Sequence, residues 1–130
     1  MAKKKPTRKF VSLSEGEKAY AMSRAVVQGD WCFVSGTVGY NYADGSIPEG
    51  AAQQAQNTFT NIMKALEAAG FELGHTIRVQ YTVSDRKYIK EVLPVIKRHF
   101  DNILPAATMV IADMVDEKMK IEIEVTAFKG

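Results

Sequence analysis

The stretch "ILPAATMVIADMVDEKMKIEIEVTAF", Ile103 to Phe128, decides the fold. It predicts two β-strands joined by a short polar turn. In the second strand, apolar residues alternate with Glu122 and Glu124, so one face of the strand is apolar and the other carries two carboxylates. A strand of this kind belongs in a sheet whose apolar face is covered by helices, and its polar face needs a separate explanation.

Working outward from this stretch, the sequence alternates between strand and helix patterns. Gly29 and Asp30 indicate a hairpin turn, Pro48 indicates the start of a helix, and Gly70 indicates its end. The predicted elements are an edge strand 10–14, hairpin strands 21–27 and 31–38, a helix 48–69, a strand 77–83, a second helix after Ser84-Asp85, and strands 106–114 and 119–128. In the second helix we expect Tyr88, Ile89, Val92, Leu93, Ile96 and Phe100 to be buried.

This order predicts an α+β fold, a mixed β-sheet with two helices on one face. Two helices do not cover both faces of such a sheet. The face with Glu122 and Glu124 is therefore expected to meet another subunit, to line a pocket or to lie in solvent. Met22, Val26, Met109 and Ile111 are assigned to this face and argue against full exposure, although a shift of one residue would reverse that assignment.

The composition fits one domain over residues 10–130, preceded by a basic, flexible tail over residues 1–9. Five of the 17 basic residues lie in this tail, and the first acidic residue is Glu15. Without the tail, 12 basic residues face 15 acidic ones, a net charge of −3. A solvated arm is the simpler interpretation of the tail, and a nucleic-acid arm is the alternative. The acidic domain contains no recognisable nucleic-acid module, so we do not expect a nucleic-acid partner.

We expect a cytoplasmic protein without a membrane segment, a metal or a cofactor. The single cysteine, Cys32, fits a reducing compartment, and its place in an apolar strand favours a small buried residue over a reactive thiol. No apolar run reaches the roughly 20 residues of a membrane helix. His75 and His99 lie far apart in sequence, and no metal, phosphate-loop or dinucleotide motif is present.

Five segments together resemble the YjgF/RidA family, over about Tyr20 to Phe128. The Val-Ser-Gly of the hairpin, the Gln-rich first helix and the Ile-Glu-Ile-Glu of the last strand are the most specific features. The segments are "AVVQGDWCFVSGTVG", "AAQQAQNTFTNIMKALEAAG", "IRVQYTVSD", "PAATMVIADM" and "KIEIEVTAF".

The resemblance implies a chorismate-mutase-like (RidA-like) fold that assembles as a homotrimeric barrel, with a small-molecule cleft at each subunit interface. Well-understood members of the family hydrolyse reactive imines or enamines to 2-keto acids and ammonia, without a metal or cofactor. Other members are described as single-strand ribonucleases (endoribonuclease L-PSP) or translation inhibitors.

The family's deaminating members carry an arginine in a Pro-Ala-Arg motif, and its guanidinium binds the substrate carboxylate through two parallel hydrogen bonds. This sequence has Ala107 at that position, followed by Thr108. The resemblance also places Met109 at a family cysteine and Leu93 near a family asparagine. Hydrolysis of ordinary 2-imino acids is therefore not expected.

On the opposite wall, the resemblance places Met22 at the family's pocket tyrosine, with Tyr20 two residues earlier, and Glu122 at the strand glutamate. Glu122 is the candidate catalytic residue. Arg24 shares the strand parity of Met22, so it is a candidate for binding an anion in the same cleft. The alternative for Arg24 is an ion pair with Glu122 or Glu124.

Three functions stay open at this point. The first is an enzyme, a hydrolase or deaminase acting on an imine or enamine without an α-carboxylate. The second is a non-catalytic, ligand-binding or regulatory trimer, and the third and weakest is an endoribonuclease or translation inhibitor. The residues that line the cleft discriminate best among them.

Overall fold

The structure is a computed structural model that describes residues 8–130. Within these residues, six strands form one mixed sheet in the order β1-β2-β3-β6-β4-β5. The strands are β1 Arg8–Val11, β2 Ala25–Gln28, β3 Trp31–Thr37, β4 Thr76–Val83, β5 Ala106–Ile111 and β6 Ile121–Phe128. The helices are α1 Glu15–Ala19, α2 Ala51–Ala69 and α3 Ile89–Phe100, with 3-10 turns at Leu73–His75 and Arg86–Tyr88.

All neighbouring strands are antiparallel except β4 and β5, which are parallel. A parallel pair needs a crossover, and α3 provides it. The long helices α2 and α3 contact each other, and α2 packs on β1, β2, β3 and β6. The predicted mixed sheet with helices on one face is confirmed.

The apolar core lies between this face of the sheet and the helices. The alternation predicted for β6 is confirmed, because Ile121, Ile123 and Val125 are buried. Cys32 on β3 is fully buried, as expected, and burial raises the pKa of its thiol to about 11.

The predicted start of the first helix is wrong by three residues, because α2 begins at Ala51 after Gly50. The carbonyls of Pro48 and Glu49 are instead bonded to the Gln54 side-chain amide and the Lys120 ammonium group. Glu49 is thus outside the first turn. The predicted end is confirmed, since Gly70 follows the helix with a φ of 84°.

The predicted buried stripe of the second helix is wrong at Leu93, which is 45% exposed. The residues of α3 that reach the core are Val92, Val95, Ile96 and Phe100. This spacing follows the 3.6-residue period of a helix. Leu93 lies 100° around the helix from Val92 and therefore falls outside the buried stripe.

Several strand boundaries differ from the prediction. The edge strand β1 spans Arg8–Val11 instead of 10–14, β5 ends at Ile111 instead of 114, and β6 begins at Ile121 instead of 119. The hairpin strand begins at Ala25 instead of Ala21, because residues 15–19 form α1 and Ala21 has a positive φ of 55°. The pairing of β4 with β6 shifts between Thr76 and Arg78, and Ile77, which lies at this shift, is 44% exposed. Residues 1–7 of the predicted tail lie outside the described residues, whereas Arg8 and Lys9 belong to β1.

The predicted face of β5 is wrong by one residue. Met109 and Ile111 pair with Tyr81 and Val83, which are buried on the helix side. The residues of β5 that share the open face with the glutamates are Ala106, Thr108 and Val110. Ala107 lies beside Val79 on the helix side of this edge strand and is exposed.

The open face of the sheet carries a continuous row of paired residues from one edge to the other. This row is Phe10, Val26, Phe33, Thr126, Arg78 and Ala106. Trp31 adds to it, with ring centroids 6.2 Å from Phe33 and 4.6 Å from Phe128. Because Trp31, Phe33 and Phe128 are 37–48% exposed, this face presents aromatic surface as well as polar groups.

Candidate functional site

A cavity of about 280 Å³ opens where α1, the end of β3 and the loop before β6 meet. Its lining is mostly apolar and includes three charged side chains. The side chains that give it chemistry are Glu17, Tyr20, Arg24, Tyr40, Tyr42 and Glu122.

Arg24 lies at the entry to β2, and its guanidinium is held from several directions. Nη1 donates to the Gly36 carbonyl oxygen at 2.7 Å and to Thr37 Oγ1 at 3.1 Å. Nη2 lies 3.8 Å from Glu17 Oε2. Among the described residues, none supplies an acceptor for the buried Arg24 Nε.

Glu17 is the acidic partner of Arg24. Its side chain is 2% exposed. Oε1 accepts hydrogen bonds from the backbone N–H of Leu13 at 2.6 Å and of Ser14 at 2.9 Å, and Oε2 accepts from the Ser14 hydroxyl. Burial alone would raise the pKa of Glu17, but these hydrogen bonds and Arg24 lower it overall. Glu17 is therefore a carboxylate at neutral pH.

Glu122 approaches the same region from β6 and lies against Gly36. A Cβ at position 36 would sit 2.6 Å from Glu122 Oε1, so only glycine leaves room for the carboxylate there. Burial raises the pKa of Glu122, the nearby charge of Glu124 raises it further, and Arg24 lowers it in part. Glu122 thus has the properties of a proton acceptor whose pKa is shifted towards neutral pH.

The segment after β3 is positioned by α2. The Asn61 side-chain amide donates to the carbonyl oxygens of Val38 at 3.0 Å and Tyr40 at 2.8 Å. Gly39 makes this approach possible, since a Cβ there would lie 2.5 Å from the Gln54 carbonyl oxygen. Val38, Tyr40 and Tyr42 therefore form one wall of the cavity.

The opposite wall comes from the loop before β6. The buried Gln54 side chain donates to the Lys118 carbonyl oxygen at 2.9 Å and accepts from the Lys120 N–H at 2.8 Å. These bonds hold the loop on α2, and they place Met119 and Val115 at the cavity.

The structure brings together four of the residues singled out from the sequence. Tyr20, Met22, Arg24 and Glu122 all line the cavity. Met22 and Arg24 lie just before β2. The Arg24 N–H donates to the Val11 carbonyl oxygen and so extends the pairing of β1 and β2 as far as Arg24.

The other four do not line this cavity in the same chain. Ala107, Thr108 and Met109 lie on the edge strand β5, and Leu93 is on the exposed side of α3. Thr108 accepts a hydrogen bond from Arg78 at 2.9 Å on the open face.

The sequence suggested an ion pair of Arg24 with Glu122 or Glu124, and the structure gives Arg24 a different partner. Its carboxylate partner within residues 8–130 is Glu17, not Glu122 or Glu124. Sequence reasoning missed Glu17 as a site residue, although Ser14 and Glu17 have the spacing of a helix capping box. Tyr40 and Tyr42 were also missed, because they lie in a loop without periodicity.

Two classes of site find no support in the part of the chain that the structure describes. No group of three or more histidine, cysteine, aspartate or glutamate side chains is placed to hold a metal ion there. In the same residues, the helices are too short or too polar to cross a bilayer.

The fold and cavity define an α+β protein of the chorismate-mutase-like class. The family model described as "Endoribonuclease L-PSP" matches residues 15–129. The chain therefore belongs to this family, which is the YjgF/RidA family indicated by the sequence.

Relatives and solved structures agree with this membership. The chain is 28% identical over 125 residues to a 2-iminobutanoate/2-iminopropanoate deaminase of Bos taurus, covering 95% of this chain and 91% of the relative. A YjgF/YER057c/UK114 family member from Mycobacterium tuberculosis superposes with a TM-score of 0.84 at 30% identity, covering 95% of this chain and all of that one. TdcF of E. coli with bound serine superposes with a TM-score of 0.78 at 25% identity, covering 83% and 87%.

Proposed function

We propose that this protein is a homotrimeric, cofactor-independent hydrolase of a small imine or enamine that lacks a carboxylate. The observation that carries the proposal is the Glu122 carboxylate, half-buried beside a mostly apolar cavity of about 280 Å³. Relatives named as imine deaminases support the reaction class.

The proposal that the substrate lacks a carboxylate follows from the lack of an available positive charge at the cavity. Arg24 is the lining residue with a guanidinium. Its Nη1 donates to Gly36 and Thr37, its Nη2 lies 3.8 Å from the Glu17 carboxylate, and its Nε is buried. Ala107 offers only a methyl group at the position where the family motif has arginine. A substrate carboxylate would therefore have no bidentate partner.

The reaction needs one group that accepts and returns a proton. Water attacks the carbon of a protonated imine and loses a proton to Glu122, which gives a carbinolamine. Glu122 then returns this proton to nitrogen, the C–N bond breaks, and the hydroxyl proton passes to the departing ammonia. The products are a carbonyl compound and ammonium, and Glu122 is again a carboxylate.

The trimer in this proposal is supported by the open face of the sheet. Exposed aromatic rings at Trp31, Phe33 and Phe128 lie beside polar residues on this face, as in a surface that is buried by a second copy of the chain. The edge strand β5, with Ala107, would then lie at a subunit boundary. Sedimentation equilibrium should give about three times the chain mass of 14.4 kDa, and a stable monomer at micromolar concentration would contradict this assembly.

A non-catalytic, ligand-binding trimer is the second candidate. The hydrogen bonds and the lowered pKa of Glu17 favour this candidate, because they leave Glu17 unable to act as a second acid or base beside Glu122.

A matched pair of imines tests the proposal. A flavin-dependent amine oxidase acting on 3-methylbutylamine and a flavin-dependent amino-acid oxidase acting on leucine generate two imines that differ by the carboxylate. In the presence of semicarbazide as a trap, the protein should reduce trapping of the amine-derived imine only. Glu122→Gln should abolish this effect, and Glu67→Gln, at an exposed residue of α2 outside the cavity lining, should retain it.

Equal protection of the leucine-derived imine would show that another group binds the carboxylate. Binding of the amines in the cavity without any effect on trapping would favour the non-catalytic alternative.

A further inference from the structure

The Glu122 carboxylate lies against a stretch of β3 where the regular strand pairing is interrupted. The pairing of β3 with β6 shifts register between Val34 and Thr37. Gly36 lies within this shift, and a Cβ there would sit 2.6 Å from Glu122 Oε1. Irregular stretches of this kind often direct a side chain at a functional site. Here the position of the Gly36 backbone limits where the carboxylate can lie.

Arg24 holds this stretch of β3 from the neighbouring segment of the chain. Its Nη1 donates to the Gly36 carbonyl oxygen at 2.7 Å and to Thr37 Oγ1 at 3.1 Å. Its own carbonyl oxygen accepts from the Ser35 N–H at 2.9 Å. Arg24 thus bonds to three consecutive residues of β3, through its backbone and through its side chain.

The guanidinium of Arg24 is itself held in place by α1. Its Nη2 lies 3.8 Å from Glu17 Oε2, and the Glu17 side chain is 2% exposed. The backbone N–H groups of Leu13 and Ser14 donate to the other oxygen of Glu17, at 2.6 Å and 2.9 Å. The planar guanidinium therefore spans the distance from a fixed carboxylate to the Gly36 carbonyl. Lysine, with a single ammonium group, does not reproduce both contacts.

We infer that Arg24 is a positioning residue, which fixes the Gly36 backbone and thereby places the Glu122 carboxylate for its part in the reaction. This inference rests on the proposed role of Glu122 as the proton acceptor and adds the residue that orients it. It requires no contact between Arg24 and the substrate. Every contact in the series lies within one chain, so the inference does not depend on residues that a neighbouring subunit adds to the cleft.

Replacing Arg24 also changes the charge near Glu122. Burial and the nearby Glu124 raise the pKa of Glu122, and Arg24 lowers it in part. The residue opposite Glu122 on β4 is the uncharged Thr82. The other titratable groups that line the cavity are Glu17, Tyr20, Tyr40 and Tyr42. These groups, and any that a neighbouring subunit adds, are the same in an Arg24 variant and in the wild type, so the difference between the two proteins reports on Arg24.

A titration of the Glu122 carboxyl group separates a positioning role from a general effect on stability. The full-length protein is isotopically labelled at the side-chain carboxyl carbon of glutamate, and Glu122→Gln assigns the resonance. Its chemical shift is followed against pH in the wild type, Arg24→Met, Arg24→Lys and Lys97→Met, together with the backbone resonances of Gly36 and Thr37. Lys97→Met is the matched control, because it also removes one cation, from an ion pair whose side chains are 61% and 58% exposed.

Arg24→Met should raise the pKa of Glu122, and Arg24→Lys should raise it less because the charge is kept. Both Arg24 variants should shift the Gly36 and Thr37 resonances. In the semicarbazide assay, both should hydrolyse the amine-derived imine at least about tenfold more slowly, since a displacement of roughly 1 Å costs about a hundredfold in rate. A loss of rate in Arg24→Lys, where the charge remains, distinguishes positioning from charge alone. Lys97→Met should match the wild type in all three measurements.

The outcomes separate this inference from the proposed function. Arg24→Lys keeps a cation beside Glu17 and decides the matter if Arg24→Met does not fold. Wild-type Gly36 resonances and a wild-type rate in Arg24→Lys, or an unchanged pKa of Glu122 in folded Arg24→Met, would overturn the positioning role. If Glu122→Gln hydrolyses the imine like the wild type, the proposed function is wrong, and the placement of the carboxylate by Arg24 is then judged from the resonances and the titration alone.

Discussion

Replacing Arg24 by methionine tests the central structural claim about the cavity. Methionine keeps a long unbranched side chain but removes the guanidinium. The Gly36 carbonyl and Thr37 Oγ1 lose a donor at 2.7 Å and 3.1 Å, and Glu17 loses its cation at 3.8 Å.

The expected loss of stability is about 3 kcal/mol. A hydrogen bond to a charged group contributes about 1.5–3 kcal/mol, and removing one member of a buried ion pair costs about 3–5 kcal/mol. The lower end applies because the backbone donors of Leu13 and Ser14 still satisfy Glu17 after the substitution. Arg24 is 9% exposed, so solvent screens these interactions little.

Urea unfolding of Arg24→Met and wild type at one chain concentration measures this difference, since the stability of the proposed trimer would depend on concentration. Lys97→Met is the control. Lys97 forms an ion pair with Asp101 at 3.5 Å, but the two side chains are 61% and 58% exposed, so the change should be below about 0.5 kcal/mol. An Arg24→Met protein within about 0.5 kcal/mol of wild type would refute the assigned network.

Three further outcomes are expected. Gly36→Ala should displace the Glu122 carboxylate and weaken ligand binding or turnover at least about tenfold, measured beside Gly74→Ala, where an added Cβ meets nothing within 4 Å. The lowered pKa of Glu17 stabilises the fold above the unfolded-state pKa, and this stability is lost as pH falls through the folded-state pKa. Melting temperature against pH should thus show a shallower acid decline for Glu17→Gln, and an unchanged slope would contradict the sign. Cys32, buried with a pKa of about 11, should resist maleimide in the native protein and react after unfolding, whereas rapid native labelling would place it at the surface.

The sequence was sufficient for those elements whose two faces differ strongly. Strand β6 alternates without exception between buried apolar residues and more exposed ones, so its inward face was predicted correctly. Strand β5 offers no such contrast, because Ala106, Thr108 and Val110 on one face are as small or apolar as the residues on the other. Its register is set by parallel pairing with β4 across α3, a long-range contact that local alternation does not encode.

Three residues of the candidate site, Met22, Arg24 and Glu122, were predictable from the family resemblance together with the alternation of strand faces. Glu17 was not predicted as a site residue, because the local hydrogen bonds of a capping box normally account for a glutamate at this position. Nothing in the sequence shows that its second carboxylate oxygen lies near Arg24. Tyr40 and Tyr42 reach the cavity through the bonds of Asn61 to the backbone, which involve positions about 20 residues apart.

The free edge of β5 also bears on the proposed trimer. The segment Ala106–Ile111 contains no charged residue or proline and pairs on one side only, with β4. Such an edge is a template for adding strands from other molecules, and native proteins usually blunt it with lysine, proline or a covering element. A subunit separated from its neighbours would present this edge without protection. Conditions that dissociate the proposed trimer should therefore promote aggregation before they unfold the chain.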